Sequence, residues 1–329
     1  MIARRSSIVL GLSLALLAAS FSAEAQPARK PPRIGFLGAP GKAGNADFIA
    51  GLVQGLRQLG YTEAKSITIE YRFAEGRTER LPKLALELVN LRVDVIVVTG
   101  SQAATAARQA TTTIPIVMVS VGDPVGVGLV SSLAKPGGNV TGLSAAHGDI
   151  AAKWLGLLRE AVPKASRFGY LDDPNSPMSP IFLREMLDAG RKLGVSVQFF
   201  PIPKPDHVEA QLSAIAGAGI EAVIVGPNPV PRTRQKEILA FAAKNHLPVM
   251  YGGRDYVDAG GLMSYDPSRS EMGRQGALYI DKLLRGAKPA DLPVEQPTKI
   301  ELVINMKAAR ALGLTIPQSV LLRADHIVE

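Results

Sequence analysis

Cysteine is absent from this 329-residue chain, tryptophan occurs once, histidine four times, and aromatic residues make up only 5%. Without cysteine there is no disulfide, so an exported fold would rest on core burial alone. A bacterial lipoprotein anchor, which needs a cysteine at the cleavage site, is excluded as well. His147, His207, His246 and His326 lie far apart with no H-x-x-x-H spacing, so each reads as a surface or loop residue and no metal site is expected. No Lys/Arg block and few aromatics leave nucleic-acid binding without support. There is no G-x-S-x-G elbow, since Ser101 in Gly100-Ser101-Gln102 lacks the second glycine. Asp172-Asp173, Glu209 and Glu221 supply carboxylates, but no spacing pairs them as acid and base. Gly217–Ala222 fits G-x-G-x-x-A, yet it precedes a strand where a dinucleotide site would follow one. No cofactor and no catalytic residue are expected.

Long hydrophobic runs are missing too. The one apolar stretch near the start, Ile8–Ala19, is too short to span a bilayer. Preceded by Arg4-Arg5 and followed by Ala23-Glu24-Ala25, it reads as a signal peptide over residues 1–25, cleaved before Gln26. Ser6-Ser7-Ile8 after the arginine pair favours general secretion over twin-arginine export. A soluble, monomeric periplasmic protein is expected. Cleavage would remove Arg4, Arg5 and Glu24, lowering the formal charge from +8 to +7. That excess is scattered, compatible with an anionic ligand and no more specific than that.

What remains is long enough for two domains, with 47% hydrophobic and 20% charged residues. Val93–Val98 is almost uninterrupted β-branched sequence, the pattern of a parallel strand buried on both faces. Thr99–Gln102 turns it into a helix, and a second apolar strand, Ile114–Val119, ends at Ser120-Val121-Gly122-Asp123-Pro124. This is a βαβ unit. Upstream, strands at Arg33–Leu37 and Ser66–Phe73 alternate with helices whose apolar residues recur at helical spacing. The order then repeats. Arg167–Leu171 matches Arg33–Leu37, Ile220–Val225 matches Val93–Val98, and Leu247-Pro248-Val249 matches Ile114-Pro115-Ile116, at offsets of 133 to 134 residues for the first and last pairs. An internally duplicated α/β chain of two Rossmann-like lobes follows. Glycine-rich Lys135–Gly142 and Gly260–Tyr265 read as crossovers in a multi-strand hinge. The expected division is 33–144 plus about 250–285 for lobe I, and 145–249 plus about 286–329 for lobe II.

Ligands of open α/β sheets sit at the carboxyl ends of the strands. The loops there carry Gly, Pro and short polar side chains. Ser101, with Gln102 and the N–H groups behind Gly100, suits a carboxylate at a helix N-terminus. Asp123 suits an ammonium or hydroxyl, and Asp172 lies in the Asp172–Pro177 loop. Asn175 and Asn228 can donate or accept, Tyr251 and Tyr256 can stack, and Arg254 can hold an anion. Trp154, on a helix face with Leu155, Leu158, Ala161 and Val162, reads as core.

Several long segments resemble one family: Tyr71–Val89, Ile114–Ser144 with its GDP and PGGN-x-TG motifs, Gly260–Ser268, and Lys288–Pro317 with QPTK-x-ELVIN. It is the exported substrate-binding protein family of ABC transporters that includes tryptophan- and tyrosine-type binders. The resemblance implies a type I periplasmic binding fold closing on a small molecule that is handed to a permease in the inner membrane. It also implies that the loops at Ser101, Asp123, Asn175 and Tyr251 line the cleft. Asp172-Asp173-Pro174-Asn175 and Gly252-Gly253 depart from the pattern of relatives, so the ligand does not transfer with the fold. A sensory module for a membrane receptor, and an enzyme on the same scaffold, are the alternatives.

Overall fold

The computed structural model describes residues 30–145, 150–297 and 300–329; the expected leader and His147 lie outside them. The first lobe holds β1 (Arg33–Gly38), α1 (Ala46–Gln58), β2 (Thr68–Phe73), α2 (Leu81–Asn90), β3 (Val95–Thr99), α3 (Ser101–Ala110), β4 (Ile116–Val121) and β5 (Val140–Ser144). These strands form one parallel sheet in the order β2-β1-β3-β4-β5. Val95–Val98 are fully buried, each contributing about 1.5–3 kcal/mol. Helices α2 and α3 cover one face, where Leu84, Leu88 and Ala104 meet Ile96 and Val98. Helix α1 covers the other through Phe48, Leu52 and Leu56, which share one helical stripe.

The second lobe continues with α4 (Ile150–Ala161), β6 (Arg167–Asp172), α5 (Ser179–Leu193), β7 (Ser196–Pro201), α6 (Val208–Gly217), β8 (Ala222–Val225) and α7 (Pro229–Thr233). Then come α8 (Gln235–Lys244), β9 (Val249–Tyr251), α9 (Arg254–Asp258) and β10 (Met263–Pro267). Its parallel strands run β7-β6-β8-β9-β10, the order of the first sheet. Two further strands extend the edge: β11 (Ile300–Asn305) antiparallel to β10, and β12 (His326–Val328) beside it. Trp154 is fully buried with Phe182 at the centre of this lobe's core, as its helical spacing predicts.

Two expectations need correcting. The stretches read as crossovers, Lys135–Gly142 and Gly260–Tyr265, instead lead into or contain β5 and β10, the last parallel strand of each sheet. Glycine misleads there because it serves close approach: a Cβ on Gly142, at φ 128°, would sit 2.1 Å from the Met118 carbonyl oxygen. The lobe division shifts in consequence. Residues 250–267 belong to the second sheet, and the chain crosses back only at Pro267–Ser268. Helix α10 (Arg269–Leu284) then packs on the first lobe, with Met272, Ala277 and Ile280 in its core. Val294 stays in that lobe, and Glu295 bridges to Leu143 beside β5 before the chain returns as β11. Short helices α11 (Met306–Ala311) and α12 (Gln318–Leu321) close the second lobe.

Candidate functional site

Both sheets present the carboxyl ends of their strands to one interlobe cleft. On the first-lobe side, β3 ends at Thr99, and Gly100 takes φ 83° to turn the chain into α3. The first amides of that helix have no intrahelical partners, so its N-terminus favours negative charge. The Ser101 hydroxyl accepts from the Gly122 amide at 3.4 Å. Ser120 holds φ 58°, a left-handed conformation unusual for serine, where β4 bulges away from β5. Buried Asn45 accepts from Thr99 Oγ1 at 3.1 Å and donates to the carbonyls of Pro40 and Gly41, fixing the loop after β1.

The second lobe supplies the charge. Asp172, at the end of β6, is wholly buried and accepts from Asn228 Nδ2 at 2.8 and 2.7 Å, from Ser179 Oγ at 3.3 Å, and from the Tyr170 hydroxyl. Gly226 must be glycine, since its Cβ would lie 2.3 Å from the Asp172 carboxyl carbon. Arg232, in the first turns after Asn228, is buried, paired with Asp255, and donates to the Gly252 carbonyl at 2.7 Å. Burial opposes its charge most strongly of any single influence, but Asp255, Tyr256 and Asp266 together outweigh it and hold the guanidinium above its ordinary range. Asp266, near the end of β10, and Arg269, the first residue of α10, flank the crossing at Pro267-Ser268 and both line the cleft. Burial pushes the Asp266 carboxyl up to about 7. Burial, then the neighbouring Arg232, brings Arg269 down to about 10. Burial also raises Asp47 beside them.

These groups enclose a cavity of about 60 Å³ lined by Ser101, Gln102, Asn228, Arg232, Asp266 and Arg269, among others. The lobes touch around it. Arg77 pairs with Asp206 at 2.9 Å, and Gln102 Nε2 donates to Asp173 at 3.2 Å. Met178 lies over Gly122, where a Cβ would come within 2.3 Å of its sulfur. This is a closed cleft.

Of the residues the sequence singles out, Ser101, Gln102 and Asn228 line the cavity. Asp172 stands one layer behind, orienting Asn228. Asn175 sits at the rim, its carbonyl accepting from Gln102 at 3.4 Å and its amide donating to Pro203. The other three lie elsewhere. Asp123 is exposed and caps a turn through the Gly126 amide at 2.8 Å. Tyr251 stacks on Tyr256 at 4.7 Å inside the second-lobe core, where burial of both rings outweighs exposure to the cleft. Arg254 is exposed and pairs with Asp258 one helical turn on. The sequence reading missed Arg232, Asp266 and Arg269. Their one local signal is charge inside Pro-rich or strand-like surroundings: Pro229-Val-Pro-Arg-Thr, and Met263-Ser-Tyr-Asp-Pro.

Two duplicated parallel sheets, crossed by several chain segments and closing on a cleft at their carboxyl ends, define the type I periplasmic binding fold. The sequence profile of the ABC transporter substrate binding protein family matches residues 42–328, and the chain belongs to that family. Among solved structures it is similar to an ABC domain in complex with L-Trp from Streptococcus pneumonia, at 28% identity and TM-score 0.82, covering 90% of this chain and 99% of that one. A conserved domain protein from Vibrio cholerae matches at 28% identity and TM-score 0.83, over 91% and 100%. A curated tyrosine-binding protein of Clostridioides difficile is 27% identical over 266 residues, 80% of this chain and 76% of that protein.

Proposed function

We propose that this protein is an exported solute-binding subunit that captures a small organic solute between its lobes and delivers it to an inner-membrane ABC permease. The observation that carries the reading is the cavity itself. It is bounded by both lobes and holds a helix N-terminus, Arg269 and Asp266, groups that recognise a charged solute and form no nucleophile–base pair. A ligand touching both lobes stabilises the closed state by the contacts it makes only there. The leader-like N-terminus and the family support a location outside the cytoplasmic membrane, where in this reading the protein acts as a monomer on a permease that recognises the closed lobes.

Protein stripped of ligand by unfolding and refolding should be screened by thermal shift against amino acids and small organic acids. A solute at a hundredfold over its dissociation constant stabilises by about 2.7 kcal/mol. The reading expects such a solute, recovered unchanged, with the shift lost in Arg269→Ala. A solute that is chemically altered on incubation would make the protein an enzyme and sink the proposal.

A further inference from the structure

The closed cavity measures about 60 Å³. One water occupies roughly 10–15 Å³ on this kind of scale, and an apolar cavity that takes up benzene needs about 150 Å³. The space therefore suits a handful of non-hydrogen atoms and no aromatic ring. Its walls agree. Phe182 is the aromatic residue among those lining it, and its ring is 1% exposed and packed edge-on to Trp154 at 5.3 Å. Tyr251 and Tyr256 stack on each other away from the cleft. Among the described residues lining the cavity, no ring face is open to a ligand ring.

The polar groups fix the chemistry. Among the described residues no hydrogen bond or ion pair within 4 Å reaches the Asp266 carboxylate, which faces the cavity. Arg269 uses its guanidinium in one long bond to the Gly44 carbonyl, leaving further donors for the cavity. Arg232 lines the same space, 97% buried, and its Nε has no partner. Two guanidinium groups with donors to spare thus share the cavity wall with a carboxylate that accepts no hydrogen bond among the described residues, a set of groups complementary to a molecule with a negative and a positive end. We infer, resting on the solute-capture reading above, that this cleft takes a small, non-aromatic amino-carboxylate. Its carboxylate meets Arg269 and the N-terminus of α3, its ammonium meets Asp266, and Met178 over Gly122 sets the size limit. The specificity differs from that named for the tryptophan- and tyrosine-binding relatives.

The test is calorimetry on refolded protein with glycine, L-alanine and L-serine against L-phenylalanine, L-tyrosine and L-tryptophan. Propionate and ethylamine serve as half-molecules. At least one small amino acid should bind, the aromatic three at least tenfold more weakly, and each half-molecule at least tenfold more weakly than alanine. Met178→Ala, checked for folding by its unliganded melting curve, should gain affinity for phenylalanine at least tenfold. Wild-type protein that prefers an aromatic amino acid would overturn the inference while leaving solute capture intact. Binding of neither set would also overturn it. Solute capture would then fall only if mass spectrometry of the denatured, freshly purified protein found no bound small molecule.

Discussion

The side-chain amide of Asn228 donates to both oxygens of the Asp172 carboxylate, so a cavity-lining asparagine is held by a wholly buried acid. Burial pushes Asp172 from 3.8 up to about 7. The native state therefore keeps a proton that the unfolded chain has already released, and stability falls as pH rises through that window. Asp172→Asn should flatten the decline in melting temperature between about pH 4 and 7. An unchanged slope would mean that Asp172 is not the group titrating.

Asp266 gives binding its own pH dependence. At neutral pH its carboxyl, raised to about 7, is partly protonated, and a docked ammonium draws it back toward the ionised form. Binding at pH 7 should release a fraction of a proton, and affinity should weaken as pH falls below 7. Titrations in phosphate and Tris buffers, whose ionisation heats differ, measure that release. Asp266→Asn should abolish the difference along with most of the affinity.

Arg77 and Asp206 join the lobes outside the cavity, their side chains 43% and 60% exposed. An exposed pair of this kind contributes roughly 0.2–1 kcal/mol and is screened by salt. Arg77→Ala should speed ligand release up to about fivefold with little effect on association, and 0.5 M salt should narrow the gap from wild type. Stopped-flow dissociation reads both. A variant as slow as wild type at low salt would remove the pair from the closing mechanism.

Helices α1 and α10 touch backbone to backbone through Gly51 and Gly273. A Cβ on Gly51 would meet the Ser270 carbonyl oxygen at 2.0 Å, and one on Gly273 would meet the Phe48 carbonyl oxygen at 2.3 Å. Gly51→Ala must push the helices apart, at a cost of about 1–3 kcal/mol. Because Arg269 opens α10 and faces the cavity, ligand affinity should drop as well. Chemical denaturation and calorimetry on the same variant check the two effects, and a variant with lowered stability but wild-type affinity would uncouple them.

The repeat of Arg33–Leu37 at Arg167–Leu171, and of Ile114-Pro115 at Leu247-Pro248, made two like-ordered sheets legible, because strands buried on both faces leave a strong apolar signature. The edges were harder to read. Gly142 and Gly260-Gly261 look like loop sequence, and only tertiary contact shows that glycine lets β5 lie against β4, or turns the chain from α9 into β10. At the site, Ser101, Gln102 and Asn228 follow from the rule that strands end at the ligand. Tyr251 and Arg254 obey the same rule by position, yet their side chains turn into the core and out to solvent, which no spacing records. Arg232, Asp266 and Arg269 converge from three separate elements, and one of them packs on the opposite lobe. Nothing local in the sequence brings them together.

Asp266 and Arg269 are three residues apart, with the interlobe crossing at Pro267-Ser268 between them. Asp266 turns with the second sheet, whereas Arg269 is carried by a helix anchored to the first. A solute held by both grips the joint itself instead of the outer edges of the closing faces. The angle at which the lobes come to rest is then set by the spacing between the solute's two charges. A homologue of the solute longer by one methylene would be held with the lobes at a different angle, and a permease that reads the closed outline would meet a differently shaped protein.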